Sequence, residues 1–394
     1  MKYVVLVPDG AGDYPQDSLG GRTPLQAART PNMDRLAREG AGGLVTIIPP
    51  GRPPGSDVGN LEIFGYDSCA YATGRAPLEA ASQGIVLADD EVAFRCNLIT
   101  RDGDVLVDYS AGHLSREEGE ALLQRVATGL SREGVRFYPG VGYRHLVVWR
   151  GGPDALVAYP PHDIMGQSIA AHLPTGPGQE AMRSLMDAAG PILAEAPENH
   201  RRMAAGQPPA NAIWLWGAGR ALRLPTLRQR YGLVGGVISA VDLVRGIGRI
   251  AGLQVIEVPG ITGYLDTNYA GKAEYALRAL ERLDLVYLHV EAPDEAAHAG
   301  DAAAKVQALE EFDAKVVGPV CEGLPAFGRY RVLLVPDHRT PIQLRTHSRE
   351  PVPFALWGTG VQRDDLTAFD EESAVAGSLH LERGHLLMEK LVSP

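Results

Sequence analysis

Short apolar runs, each stopped by proline, glycine or aspartate, alternate along this chain with segments whose apolar residues recur at helical spacing. Tyr3-Val4-Val5-Leu6-Val7, ended by Pro8-Asp9-Gly10, is the first. A continuous β-branched run of that length predicts a strand covered on both faces, as in a parallel sheet. Thr30-Pro31-Asn32-Met33 opens a helix with a capping threonine and an N1 proline, and Gly40 closes it. Leu44 to Ile48 predicts the next strand. The loop Pro53-Pro54-Gly55-Ser56 follows, then a segment in which Val58, Leu61 and Phe64 share one helical face. Strand, helix, strand, loop, helix begins a doubly wound α/β fold.

From about Asp89 the pattern changes. Val92–Ile99 and Asp104–Tyr109 predict two strands joined by the turn Arg101-Asp102-Gly103. Ser115 to Val126 is an amphipathic helix whose serine has Glu118 three residues on, a capping box. Val135–Tyr138 and Arg144–Arg150 read as two more strands. Hairpin, helix, hairpin is an α+β unit, and the breaker-rich Leu173–Gly178 suits a hinge behind it. The expected organisation is a core domain of residues 1–87 and 178–394, interrupted by a smaller domain of residues 88–177.

Beyond residue 178 the βα pattern returns. Helices are predicted at Gln179–Ala194, Lys272–Arg282 and Ala302–Val317. Strands are predicted at Ala212–Gly217, Gly235–Ala240, Leu253–Val258, Asp284–Val290 and Arg331–Val335. The fold class is therefore α/β, a doubly wound, mostly parallel sheet with an inserted α+β domain.

Composition narrows the function classes. A formal net charge of −11 argues against a nucleic-acid partner, which needs a basic surface. No apolar run reaches membrane-spanning length, and Met1-Lys2-Tyr3 runs straight into a strand without space for a signal peptide. Cys69, Cys96 and Cys321 are scattered, with no CxxC, which points to a reducing, cytoplasmic setting. The oligomeric state is not legible.

The chemistry gathers at strand ends. Asp9 follows the first strand. The Asp284–Val290 run leads into Glu291-Ala292-Pro293-Asp294-Glu295-Ala296-Ala297-His298, where Asp294 and His298 are four apart and share a helix face. The Arg331–Val335 run ends in Pro336-Asp337-His338, with His347 a few residues on. Six oxygen and nitrogen donors at three strand ends, with no cysteine among them, suit two adjacent divalent cations of the manganese, zinc or magnesium type. Ser56 sits where a helix begins. There it is either an ordinary cap or a nucleophile whose phosphorylated form the helix N-terminus would favour.

Val7-Pro8-Asp9-Gly10, Pro54-Gly55-Ser56-Asp57, Ala292–His298, Pro336-Asp337-His338 and Thr346-His347-Ser348 together resemble the archaeal-type cofactor-independent phosphoglycerate mutases of the alkaline phosphatase superfamily. The likeness extends through Thr73-Gly74-Arg75, Phe94-Arg95-Cys96-Asn97, Val237-Ile238-Ser239-Ala240 and Gly263–Tyr269. The resemblance implies interconversion of 3-phosphoglycerate and 2-phosphoglycerate, a small phosphorylated hydroxy-acid substrate, through a phosphoserine on Ser56. It implies one metal on Asp294, His298 and His347 and another on Asp9, Ser56, Asp337 and His338. Manganese is first among zinc, magnesium and cobalt, and no 2,3-bisphosphoglycerate is required. The inserted domain becomes a substrate-binding lid, with Arg95, His113, Arg144, His145, His162 and Asp163 as candidate contacts, and Arg201 and Arg202 where the chain returns to the core. One departure bears on the acceptor. Ala111-Gly112-His113 stands where the mutases carry arginine after Ala-Gly, and with Tyr143–Leu146 and Pro160–Asp163 it resembles a sister branch proposed to act as homoserine kinases. A phosphotransferase of that branch, or a phosphatase, is the alternative.

Overall fold

The computed structural model of the chain describes residues 1–71 and 74–393. Its strands are β1 (Lys2–Pro8), β2 (Ala41–Val45), β3 (Glu91–Asp102), β4 (Val105–Asp108), β5 (Val135–Tyr138), β6 (Arg144–Arg150), β7 (Ala212–Arg220), β8 (Gly235–Ile238), β9 (Gln254–Val255), β10 (Leu285–Val290), β11 (Tyr330–Leu334) and β12 (Val352–Gly358). The chain forms two compact units, one of Met1–Ala72 with Arg223–Pro394 and one of Thr73–Leu222. Thr73, part of the Thr73-Gly74-Arg75 motif, lies outside the described residues.

The first unit is a seven-stranded sheet in the order β2-β12-β11-β1-β10-β8-β9. From β11 to β9 every pairing is parallel, and β12 runs antiparallel to both β11 and β2. This is the mostly parallel α/β sheet that the apolar runs predict. β1 lies at its centre because Val4 to Val7 are fully buried, with helices supplying the cover for a strand that has no polar face. Val4 and Leu6 share a core with Val286, Leu288, Val332 and Leu334. β2 begins three residues before the predicted Leu44 because Ala41-Gly42-Gly43 can press against β12. A Cβ on Gly42 would collide with the Phe354 carbonyl. The predicted strand at 253–258 shrinks to Gln254–Val255 at the sheet edge. The predicted helix at 302–317 is α-helical to Phe312 and closes in a π-turn from Asp313, whose carboxylate receives the amides of Asn32 and Met33. That carboxylate serves the start of the Pro31–Glu39 helix, where Thr30 makes no side-chain cap bond.

The second unit is wider than the 88–177 read from sequence, and strand pairing is the reason. β3 pairs antiparallel with β4, β6 and also β7 (Leu98 opposite Ile213, Ile99 opposite Ala212), so β7 belongs to the second unit's sheet. The Gln179–Ala194 helix, which precedes β7 in the chain, belongs there too, burying Met182, Leu185, Met186 and Leu193 with Phe94, Leu98 and Trp214. Among the described residues no helix is long and apolar enough to cross a membrane.

Candidate active site

Because β11, β1 and β10 are parallel neighbours, their carboxyl ends open on one edge of the sheet, the place where open α/β sheets bind ligands. Asp9 leaves β1 there, and Asp337 and His338 leave β11. Asp294 stands on the Ala292–Ala299 helix that follows β10. Its Oδ2 is 3.2 Å from His298 Nε2, one helical turn on, and its Oδ1 is 3.5 Å from His347 Nε2. The two imidazole Nε2 atoms are 3.0 Å apart. His338 Nε2 lies 3.5 Å from Asp9 Oδ1 and 3.5 Å from Asp337 Oδ2. The six donors predicted from three strand ends thus stand in one cluster.

Ser56 joins them. Gly55, in extended backbone, takes the N-cap position of the Ser56–Ile63 helix, so Ser56 is its first helical residue rather than its cap. Its Oγ lies instead 3.1 Å from His338 Nε2. Four residues on, Asn60 donates to the Ser56 carbonyl (2.9 Å) and to Asp337 Oδ2 (2.8 Å), and accepts from the Tyr287 hydroxyl at 2.6 Å. The Tyr287 ring stacks on Phe64 at 4.0 Å. The helix can approach so closely because position 59 is glycine: a Cβ there would strike the Asp337 backbone. Gly10 is constrained twice, by φ 59° and by the Thr340 hydroxyl and Asp294 carboxylate that occupy the place of any side chain. Its amide binds Asp337 Oδ1 at 3.1 Å.

The electrostatics are those of a site built for cations. Burial, with the Asp337 and Asp294 carboxylates beside it, pushes the Asp9 carboxyl well above its usual range. Burial also opposes ionisation of Asp294, but the His298 and His347 imidazoles outweigh it and hold that carboxyl well below its usual range. The Asp294 contact raises His298 to about 9. Two buried atoms, Asp9 Oδ1 and His289 Nε2, find no hydrogen-bond partner among the described residues. Crowded carboxylates, clustered imidazoles and orphaned buried polar atoms fit divalent cations. Asp294, His298 and His347 would hold one, while Asp9, Asp337 and His338, whose Nε2 is 3.5 Å from each of those carboxylates, would hold another beside Ser56.

Behind the cluster, Lys305 is wholly buried and its ammonium binds Asp13 (2.8 Å), the Thr340 carbonyl (2.9 Å) and the Gly12 carbonyl (3.2 Å). It ties the loop after β1 to the loop after β11. Thr340 carries the link inward to Asp294 and to His338 Nδ1. The sequence pattern singles out none of Tyr287, His289, Lys305 or Thr340. Asn60 alone carried a signal, four residues from Ser56 on one helix face.

The candidate substrate contacts divide. In the second unit Arg95 stacks on Trp216 (4.2 Å) and pairs with Glu79 (3.0 Å). Burial and the repulsion of Arg75 and Arg144 lower its proton affinity. His162, 5.6 Å from Trp216 and 3.5 Å from Asp163, is lowered by burial and by Arg95 and Arg75. Arg95, Arg144 and His162, with Arg75, therefore gather cationic groups in one place. His113 stands exposed in left-handed backbone (φ 52°) near Asp108. The other positions face elsewhere. His145 is 2% exposed, because the inward face of β6 carries it, and its Nδ1 accepts the Gly140 amide. Arg202, 3% exposed, spends its guanidinium on Pro208 O, Glu118 and Ala111 O. Arg201 is exposed and pairs with Glu198.

Fold and donor set together define an α/β protein with a serine and a cation-type cluster at the carboxyl edge of a parallel sheet. The model of the 2,3-bisphosphoglycerate-independent phosphoglycerate mutases matches residues 37–199. A 2,3-bisphosphoglycerate-independent phosphoglycerate mutase of Methanothrix thermoacetophila is 54% identical over 394 residues, covering 100% of both chains. Among solved structures, the PH0037 protein of Pyrococcus horikoshii superimposes with a TM-score of 0.84 at 30% identity, covering 99% of this chain and 96% of that one. A cofactor-independent phosphoglycerate mutase from Thermoplasma acidophilum does so with 0.69 at 28% identity, covering 99% of each chain. This chain belongs to the 2,3-bisphosphoglycerate-independent phosphoglycerate mutase family.

Proposed function

We propose that the protein interconverts 3-phosphoglycerate and 2-phosphoglycerate without 2,3-bisphosphoglycerate, in the cytoplasm, passing the phosphoryl group through Ser56. The observation that carries this reading is the Ser56 hydroxyl itself. It is free of capping duty, starts a helix, and stands 3.1 Å from His338 inside the acidic and histidine-rich cluster.

The Ser56 oxygen attacks the phosphorus of 3-phosphoglycerate. The bond from phosphorus to the 3-oxygen breaks, that oxygen takes a proton, and the serine loses one. The glycerate 2-hydroxyl then attacks the phosphoserine, the serine–phosphorus bond breaks, and Ser56 recovers its proton. Unpaired amides at the start of the Ser56–Ile63 helix favour the phosphate through both steps. Asn60 holds the Ser56 carbonyl and Asp337 in fixed relation, so that nucleophile and acidic cluster keep their spacing. Two divalent cations, manganese first among zinc, magnesium and cobalt, would acidify the serine hydroxyl and offset phosphoryl charge when bound by the residues named above.

Glycerate must stay bound while it turns over, because water reaching the phosphoserine would hydrolyse it. We assign that task to the second unit as a substrate-binding lid, with Arg95, Arg144 and His162 recognising carboxylate or phosphate. The experiment is a ³¹P NMR time course of the Mn²⁺-loaded protein with 3-phosphoglycerate and no bisphosphoglycerate. Appearance of 2-phosphoglycerate is the expected result. Inorganic phosphate alone identifies a phosphatase, and ATP-dependent phosphorylation of homoserine identifies the sister branch.

A further inference from the structure

His289 is a histidine in the middle of an apolar strand, and neither the six-donor cluster nor the proposed reaction uses it. It lies on β10 opposite Val7 of β1, with no exposed surface. Its main-chain carbonyl receives the Lys272 ammonium at 2.9 Å. Its ring is anchored from behind: Nδ1 is 3.3 Å from Ser239 Oγ, and that oxygen also accepts the Val241 amide at 3.0 Å. A serine oxygen can accept two hydrogens. With one lone pair taken by Val241, the other is available to Nδ1–H, which leaves the Nε2 lone pair bare. This is the orientation that metal-bound histidines adopt, one nitrogen donating to a neighbour while the other binds the ion.

The far side of the ring completes the picture. Nε2 lies 3.1 Å from Asp9 Oδ2, yet no hydrogen bond joins them, so the nitrogen is aimed beside the carboxylate rather than at it. Asp9 Oδ1 is buried and equally unsatisfied. Orphaned buried polar atoms are rare and each calls for a partner. Asp9, His289 and Asp337 each offer an atom within 4.8 Å of the others. A separation near 3.1 Å is also what two donors show when each lies about 2.0–2.2 Å from one ion.

We propose that His289 is a direct ligand, through Nε2, of the divalent cation bound at the Asp9–Asp337 end of the site. This rests on the two-cation reading above. It gives each end of the cluster two imidazoles, His298 with His347 and His289 with His338. Such a set prefers manganese, cobalt or zinc over magnesium, which favours oxygen and water.

The test uses the full chain, stripped of metal and reloaded with Mn²⁺, with its histidines ¹⁵N-labelled. Calorimetric titration counts the ions, and pulsed EPR counts the nitrogens coupled to them. Wild type should bind two Mn²⁺ with four coupled histidine nitrogens. His289→Gln should show three, with one binding step weakened about tenfold or more. Three nitrogens in wild type, or the same number in wild type and variant, overturns the assignment even where affinity falls, because a residue that merely positions Asp9 would change affinity alone. Should His289→Gln fail to fold, the wild-type nitrogen count decides by itself. Failure of wild type to bind two ions overturns the two-cation reading, and His289 ligation with it. Two ions bound with only three nitrogens overturns His289 ligation alone.

Discussion

Ser56 touches the cluster directly and Tyr287 reaches it through Asn60, and each yields a prediction. Ser56→Ala should lower kcat by about 10⁴-fold or more while leaving the unfolding midpoint nearly unchanged, since the hydroxyl caps nothing in the helix. Retained turnover in the assay with 3-phosphoglycerate would sink the covalent route. Tyr287→Phe removes one oxygen from a fully buried position and keeps the ring stack on Phe64. The Asn60 side-chain oxygen Oδ1 then loses its donor, at a cost of about 1–3 kcal/mol. Urea unfolding reads that loss, and a fall in kcat at unchanged KM would show Asp337 slackening. What the sequence reveals at this scale follows from contrast. Asp9, Asp337 and His338 are legible because polar residues just after apolar runs mark strand ends, and Asp294 because His298 stands four residues on. His289 is hidden by the run that surrounds it, and Lys305 by its resemblance to any lysine on a helix surface.

Among the elements, the Ser56–Ile63 helix shows why propensity and packing must be weighed separately. In an exposed helix interior Gly59→Ala would add about 1 kcal/mol of stability. Here the added methyl meets the Asp337 backbone, so the substitution should destabilise the protein and weaken Mn²⁺ binding. Thermal unfolding with and without the ion distinguishes the two effects, and a stabilised, fully active variant would contradict the packing. The same close approach was invisible beforehand, since a glycine in a helix pattern says nothing of what lies opposite. β7 teaches a related lesson. Ala212-Ile213-Trp214-Leu215-Trp216 is plainly a strand, but its sequence does not say which sheet it joins. Pairing with β3, more than a hundred residues earlier, moves the unit boundary to Leu222. Strand existence is a local property and strand partnership is not.

For the whole molecule, acid should weaken the fold, and the second unit carries one clear cause. His145 in the second unit is pushed down to about 4 from 6.5, chiefly by burial. A histidine depressed in the folded state contributes stability that is complete above pH 6.5 and is lost as pH falls from 6.5 towards 4. Over that window the loss should reach about 3 kcal/mol. Urea unfolding followed by hydrogen exchange in residues 74–222 should show it, and His145→Gln should flatten the pH dependence. An unchanged slope in that variant would place the acid sensitivity elsewhere. The order of the sheet carries a further consequence, for synthesis. β1 is made first, yet both of its neighbours, β10 and β11, lie beyond residue 284. At about 5–20 residues per second, the sheet's central strand leaves the ribosome on the order of 10–60 s before either neighbour exists. The second unit, one continuous stretch, emerges whole in that interval, while the first must keep a bare apolar strand unpaired until β10 has been made.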